Sequence, residues 1–222
     1  MELPLEQLHP FRDHPFKVLD DDAMRETVES VERFGVLVPA IARPDPEGGY
    51  ELVAGHRRHR ACALAGMDTM PVIVRELDDD AATILMVDSN LQRETILPSE
   101  RAFAYKMKLE AMKRQAGRPT KENYSQVGNN YGTLSSEEMA AELGTSKNQV
   151  FRYIRLTELI PQLLDLVDQR KIAFNPAYEL SFLKPQEQLE LLDAMDSEQA
   201  TPSLSQAQRL KKFSQEGRLS LD

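Results

Sequence analysis

The chain has 222 residues, 41% of them hydrophobic, enough for one large domain or two to three small ones with real cores. No apolar run reaches the roughly 20 residues of a bilayer span, and Met1-Glu2-Leu3-Pro4-Leu5-Glu6 lacks the basic start of a secretory signal, so a membrane or secreted protein is not expected. One cysteine, Cys62, excludes an internal disulfide and a multi-thiolate zinc site and points to a cytoplasmic protein, while the net charge of −9 argues against nonspecific coating of nucleic acid. The charge is unevenly spread, however. From Glu100 to Arg155 ten basic residues face six acidic ones, a local anion-binding stretch inside an acidic chain.

In chain order, Asp20-Asp21-Asp22 opens a short amphipathic helix in which Met24, Val28 and Val31 share a face and Gly35 is the stop. The run from Val36 to Arg43 reads as a strand, the segment Pro44 to Gly49 as a turn, and Tyr50 to Val53 as a second strand. A helix from His56 to Ala65, capped by Gly66, leads to a strand at Pro71 to Val74 and a short helix over about Ala81 to Val87, with Asp78-Asp79-Asp80 at its N-terminus. The expected order is α-β-β-α-β plus that helix. From Pro98 the pattern is wholly helical: a long helix to Gln115, a polar loop at about 117–133, helices resuming at Ser135, and breaks at Pro161, near Asn175-Pro176, at Lys184-Pro185 and at Thr201-Pro202. The domains expected are therefore 1–97 and 98–222.

Two constellations carry chemistry. Gly55-His56-Arg57-Arg58-His59-Arg60-Ala61 lies where a strand hands over to a helix, so a glycine admits close approach, the helix start offers free N–H groups, and three arginines offer forked donors to phosphate oxygens. A solvated basic helix start is the plain alternative. His56 and His59, three residues apart among arginines, make a poor metal pair. The second constellation runs from Ser135 to Arg155. Ala140 permits close helix crossing, Gly144 makes the turn, Thr145 or Ser146 caps the next helix, and Val150 and Ile154 return to the core. This is helix-turn-helix spacing, over about 135–156, and it sets Lys147, Asn148, Gln149, Arg152 and Arg155 on the second helix as base-reading and phosphate-binding groups.

Together these residues resemble the ParB family of chromosome and plasmid partition proteins, including ParB-like proteins of mobile elements. The stretch Gly55 to Ala61 is similar to the family's G-E-R-R-x-R-A box, Ser89-Asn90-Leu91-Gln92-Arg93 to its E-N-x-Q-R box, and Gly35-Val36-Leu37-Val38-Pro39 to its G-V-x-Q-P strand. Arg170 to Phe174 and Ala177 to Leu180 resemble the segment that follows the family's DNA-binding unit. The resemblance implies an α+β N-terminal domain of the ParB/sulfiredoxin-like class followed by an all-α helix-turn-helix domain. It implies CTP with Mg²⁺ in the first: Gly55, His56, Arg57, Arg58 and Arg60 at the phosphates, Asn90 near the metal, Gln92 and Arg93 completing the pocket, and Val36, Leu37, Val38 and Pro39 facing the base. It implies a double-stranded, palindromic, centromere-like site bound by a homodimer through Ser135, Thr145, Ser146, Lys147, Asn148, Gln149, Arg152, Tyr153 and Arg155, CTP acting as a clamp switch, and a partition ATPase as a further partner of a bacterial, nucleoid- or plasmid-associated protein.

Three departures qualify this. His56 and Ser89 stand where the family's boxes carry glutamates, so CTP binding with little hydrolysis is expected. The family's N-P-x-Q-P-R stretch reads His9-Pro10-Phe11-Arg12-Asp13-His14-Pro15-Phe16. Family members usually continue beyond Asp222 into a C-terminal dimerisation domain, which implies a shortened chain or dimerisation by another surface. Gly55 stands at the sulfiredoxin cysteine, which disfavours a thiol reductase. Two rival readings stay open: a transcriptional regulator with a vestigial nucleotide domain, and a nucleotidase, kinase or nuclease of this fold using Glu51, Asp88 or Glu94 as base. Arg118, Lys121, Asn129 and Tyr131 in the polar loop are candidate backbone contacts.

Overall fold

The computed structural model describes residues 1–93, 95–117 and 131–219, the side chains of 131–135 apart. They fall into two compact units, Met1–Glu94 with Glu110–Tyr124, and Thr95–Leu109 with Ser125–Asp222.

The first unit is built on a five-stranded mixed sheet with strand order β1-β5-β3-β4-β2. Its strands are β1 (Glu2–Pro4), β2 (Leu8–Pro10), β3 (Ala40–Pro44), β4 (Tyr50–Ala54) and β5 (Thr69–Val74). β3 pairs antiparallel with β4, Ala42 opposite Leu52, and parallel with β5, Ile41 opposite Ile73. Alternation puts Ala40 and Ala42 of β3 and Met70 and Val72 of β5 on the buried face. There they meet Met24 and Val31 of α1 (Asp22–Phe34) and Ala61 and Cys62 of α2 (His56–Leu64) in one core. The Asp21 carboxylate caps α1 by accepting from Met24 N–H, and Asp78 caps α3 (Asp79–Leu91) by accepting from Ala81 N–H. The Cys62 thiol is fully enclosed and burial pushes its pKa up, the opposite of a reactive thiolate.

The second unit is all helical: α4 (Pro98–Gly117), whose last residues belong to the first unit, then α5 (Tyr131–Glu142), α6 (Lys147–Arg155), α7 (Pro161–Asp168), α8 (Phe174–Leu180), α9 (Pro185–Glu198) and α10 (Leu204–Gln215). Leu156, Leu163, Val167, Ile172, Ala177, Leu180 and Ala207 close its core. Pro161 and Pro185 each sit at the first turn of a helix, where a missing N–H costs nothing. Among the described residues no helix is long and apolar enough to cross a membrane.

Several expectations need correction. Val36–Pro39 is not strand; β3 starts only at Ala40, because Pro39 has no N–H for a ladder and the Val38 and Pro39 carbonyls are taken by Arg58. β1 and β2 escape a periodicity reading because each is three residues long. α3 outruns the expected Ala81–Val87 at both ends. Pro176 does not break the chain but lies in the first turn of α8. α5 begins at Tyr131, before Ser135, and of the expected 117–133 loop residues 118–130 lie outside the described residues.

Candidate functional site

In the first unit the site forms where β4 runs into α2. Gly55 holds φ +106°, and a Cβ there would stand 2.9 Å from Ala40 Cβ and 3.2 Å from Arg58 Nη2. Only glycine fits this conformation and this gap. Unlike α1 and α3, α2 has no side-chain cap. The first α2 helical bond is His59 N–H to Gly55 O at 2.9 Å, so the N–H groups before it have no intrahelical acceptor and, with the helix dipole, favour an anion.

The three arginines of this turn have separate partners. Arg60 binds Asp20 through two bonds of 3.0 and 2.6 Å, which hold the Asp20 carboxyl below its ordinary pKa. Arg57 lies 3.6 Å from Asp21. Arg58, half-buried, donates from Nη1 to the Val38 and Pro39 carbonyls, at 2.8 Å to the latter, and burial lowers its pKa. Arg58 thus ties the segment from Val36 to Pro39 to α2, leaving Leu37 76% and Val38 64% exposed. An apolar face and a cationic, donor-rich turn are so brought together, the arrangement a nucleotide's base and phosphates require.

Position 56 behaves unlike a carboxylate. The His56 ring is 8% exposed, accepts from Phe11 N–H at 3.3 Å, and stacks on His14 with centroids 3.8 Å apart. Burial, then the neighbouring His14, lowers the His56 pKa to about 3; burial lowers His14 to about 4. Both are neutral at pH 7. His59 turns to the Leu5 carbonyl at 3.3 Å, so His56 and His59 do not share a ligand.

Asn90 is 5% exposed on α3, and its amide donates to Met86 O at 2.8 Å. Gln92 is the exposed C-terminal cap of α3, and the Arg93 guanidinium stands 5.4 Å from the Phe16 ring centroid. Among the described residues no three His, Cys, Asp or Glu side chains gather as a metal site. One amide oxygen at Asn90 does not make a Mg²⁺ site, so the residues present fit a triphosphate better than a protein-held metal. Of the candidate bases, Glu51 is committed: its carboxylate accepts from Arg43 at 2.7 Å and from Arg12 N–H at 2.9 Å. Glu94 lies outside the described residues.

In the second unit α5 and α6 form a helix-turn-helix. Leu143, Gly144 and Thr145 donate back to Met139, Ala141 and Ala140 carbonyls, Gly144 takes φ +61°, and Ser146, not Thr145, caps α6 by accepting from Gln149 N–H at 3.1 Å. Val150 and Ala140 are buried at the crossing. Ser146 and Asn148 are exposed, Gln149 is half-exposed, and Lys147 bonds Glu137 at 3.3 Å. These can meet base edges and phosphates. Tyr153 instead packs inward, 5.6 Å from the Tyr105 ring and 4.7 Å from Phe174. Arg152 donates to Asn175 Oδ1 at 2.7 Å and Arg155 to Ser181 O at 2.9 Å. The Ser135 and Tyr131 side chains, with Arg118, Lys121 and Asn129, are outside the described residues.

Sequence reasoning missed His14, the Arg43–Glu51 pair and the partners of Arg152. For the last a signal existed: Phe174 and Tyr178 stand four residues apart, two rings on one face of α8.

The chain matches two family models, the ParB N-terminal domain over residues 1–91 and the ParB HTH domain over residues 121–213. It is 32% identical over 189 residues to the chromosome-partitioning protein Spo0J of Thermus thermophilus, covering 85% of this chain and 62% of that protein. It is 34% identical over 191 residues to the stage 0 sporulation protein J of Bacillus subtilis, covering 86% and 60%. The chain spans about three fifths of the length of these curated relatives. In fold it is similar to a C-terminally truncated chromosome-partitioning protein ParB from Caulobacter crescentus complexed to the centromeric parS site, with a TM-score of 0.51 and 24% identity over 96% of this chain and 98% of that one. With both domain models matched in order along one sequence, the chain belongs to the ParB family.

Proposed function

We propose that this protein is a DNA-binding partition protein that reads a palindromic, centromere-like site as a homodimer through α6 and takes CTP at the Gly55 turn as its clamp switch. The observation that carries the reading is the α5–α6 hairpin, with its glycine turn, Ser146 cap and exposed Asn148, in a chain whose relatives are partitioning proteins. Affinity would come from cations on phosphates and sequence preference from Asn148, Gln149 and Arg152. A partition ATPase is the further partner that family membership suggests.

Bound CTP would supply a triphosphate to replace Asp20 and Asp21 as the counter-charge of Arg60 and Arg57. The chain's own work is to keep Gly55 bare, present the uncapped α2 N–H groups, and hold Leu37 and Val38 toward the base through Arg58. Mg²⁺ would come with the phosphates, near Asn90. Neutral His56 offers no carboxylate to orient a water, so binding with little hydrolysis follows.

A second reading, a regulator that ignores nucleotides, draws on one observation: Arg57 and Arg60 are already paired with acids. The test is fluorescence anisotropy on a palindromic duplex and a scrambled one. Arg152→Ala should reduce preference for the palindrome while leaving CTP affinity unchanged, and Arg58→Ala should do the reverse. Equal losses of both activities in both variants would refute the division of labour.

A further inference from the structure

Arg152 leaves α6 between two rings of α8, and Arg155 meets the ring of Phe182 in the turn just beyond that helix. The Arg152 guanidinium carbon is 5.1 Å from the Phe174 centroid and 4.8 Å from that of Tyr178; Arg155 is 4.4 Å from Phe182. Lys211 of α10 adds a third cation, 3.8 Å from Phe182 and 5.7 Å from Tyr178, and Glu179 holds it at 2.8 Å. Cations and rings therefore alternate across α6, α8 and α10. Asn175 Oδ1 takes one Arg152 donor at 2.7 Å, leaving the rest of a five-donor fork free of that bond.

A long side chain on an exposed helix face ordinarily samples many rotamers, and ordering it on binding costs free energy. A guanidinium fixed beforehand between two rings and an amide oxygen escapes most of that cost. We propose that α8, outside the two-helix motif, sets the Arg152 share of this protein's sequence preference, with Asn175 and the Phe174 and Tyr178 rings as positioning residues for Arg152. This rests on the DNA-binding reading above.

The test first enriches a duplex from a random pool with the intact chain, then measures the affinity ratio between that duplex and a scrambled one. Arg152→Ala, Asn175→Ala and Tyr178→Ala should each lower the ratio about tenfold with scrambled-duplex affinity held within about twofold, the scale of one base-reading contact. Asn175→Asp and Tyr178→Phe, which keep the acceptor and the ring, should restore it. The Asn175→Ala, Arg152→Ala double variant should be no worse than Arg152→Ala alone, since both act on one contact. A ratio lost in Arg152→Ala but kept in Asn175→Ala and Tyr178→Ala would overturn the positioning role and spare the DNA reading. Additive losses in the double variant would overturn it too. Failure of the intact chain to enrich any duplex would overturn both readings.

Discussion

Arg58 and Pro39 are joined by a 2.8 Å bond from the guanidinium to the proline carbonyl, and the Val38 carbonyl shares the same nitrogen. A residue expected to clasp phosphate is thereby also the strap that shapes the 36–39 segment. Arg58→Ala should raise hydrogen exchange at the amides of residues 36–38 and lower CTP affinity about tenfold or more, because both the cation and the ordered apolar segment go. Unchanged exchange in that segment would contradict the strap.

Gly55 has no tolerance for a side chain. Gly55→Ala combines a left-handed backbone with a Cβ 2.9 Å from Ala40 Cβ, and should cost about 2 kcal/mol in urea unfolding while abolishing CTP binding. At Gly144, φ is +61° but nothing lies within 4 Å, so Gly144→Ala should cost only about 1 kcal/mol. Equal costs at the two sites would show that crowding plays no part.

The acid that faces Arg60 competes with any incoming phosphate. Asp20→Asn removes that competitor from an exposed pair and should tighten CTP binding about threefold in low salt, the gain fading as salt screens it. Weaker binding in calorimetry would place the phosphates elsewhere.

His14 and His56 make the fold sensitive to acid. Their folded pKa values, about 4 and about 3, lie below the unfolded value of 6.5, so the unfolded chain takes up protons first. The stability they protect is whole above pH 6.5 and falls, by about 1 kcal/mol per histidine for each pH unit, as pH drops toward 4. The urea midpoint should fall between pH 7.5 and 5.5, and His14→Phe should shallow that slope. A flat midpoint would mean the stacked pair is protonated or solvated in the native state.

Glu51 is nearly enclosed, with two bonds to Arg43 of the neighbouring strand and one from the Arg12 backbone. Glu51→Gln should lose about 1 kcal/mol of stability by weakening the pair, while Arg43 keeps a second carboxylate partner in Asp79 at 2.8 Å. Loss of nucleotide turnover without loss of stability would instead make Glu51 a base.

Elements governed by local rules were legible in the sequence. Asp21 and Asp78 announce α1 and α3, Gly144 and Ser146 announce the helix-turn-helix, and the Gly55 box marks its turn. What stayed hidden depends on distant partners. β1 pairs with β5 across some 67 residues, Arg58 finds Pro39 nineteen residues back, and His14 finds His56 across 42. No periodicity encodes such pairings. The start of the run from Val36 to Arg43 was misread for a related reason: its apolar composition suits a strand, but Pro39 and the Arg58 bonds deny it a ladder.

The most direct measurement is calorimetric titration of the chain with CTP, ATP, GTP and UTP in Mg²⁺, with and without a palindromic duplex, and assay of released phosphate in the same samples. The account predicts selective CTP binding, lost in Gly55→Ala, with little phosphate released. No binding of any nucleotide, even with the duplex present, would contradict it and leave α6 as the sole functional surface proposed here.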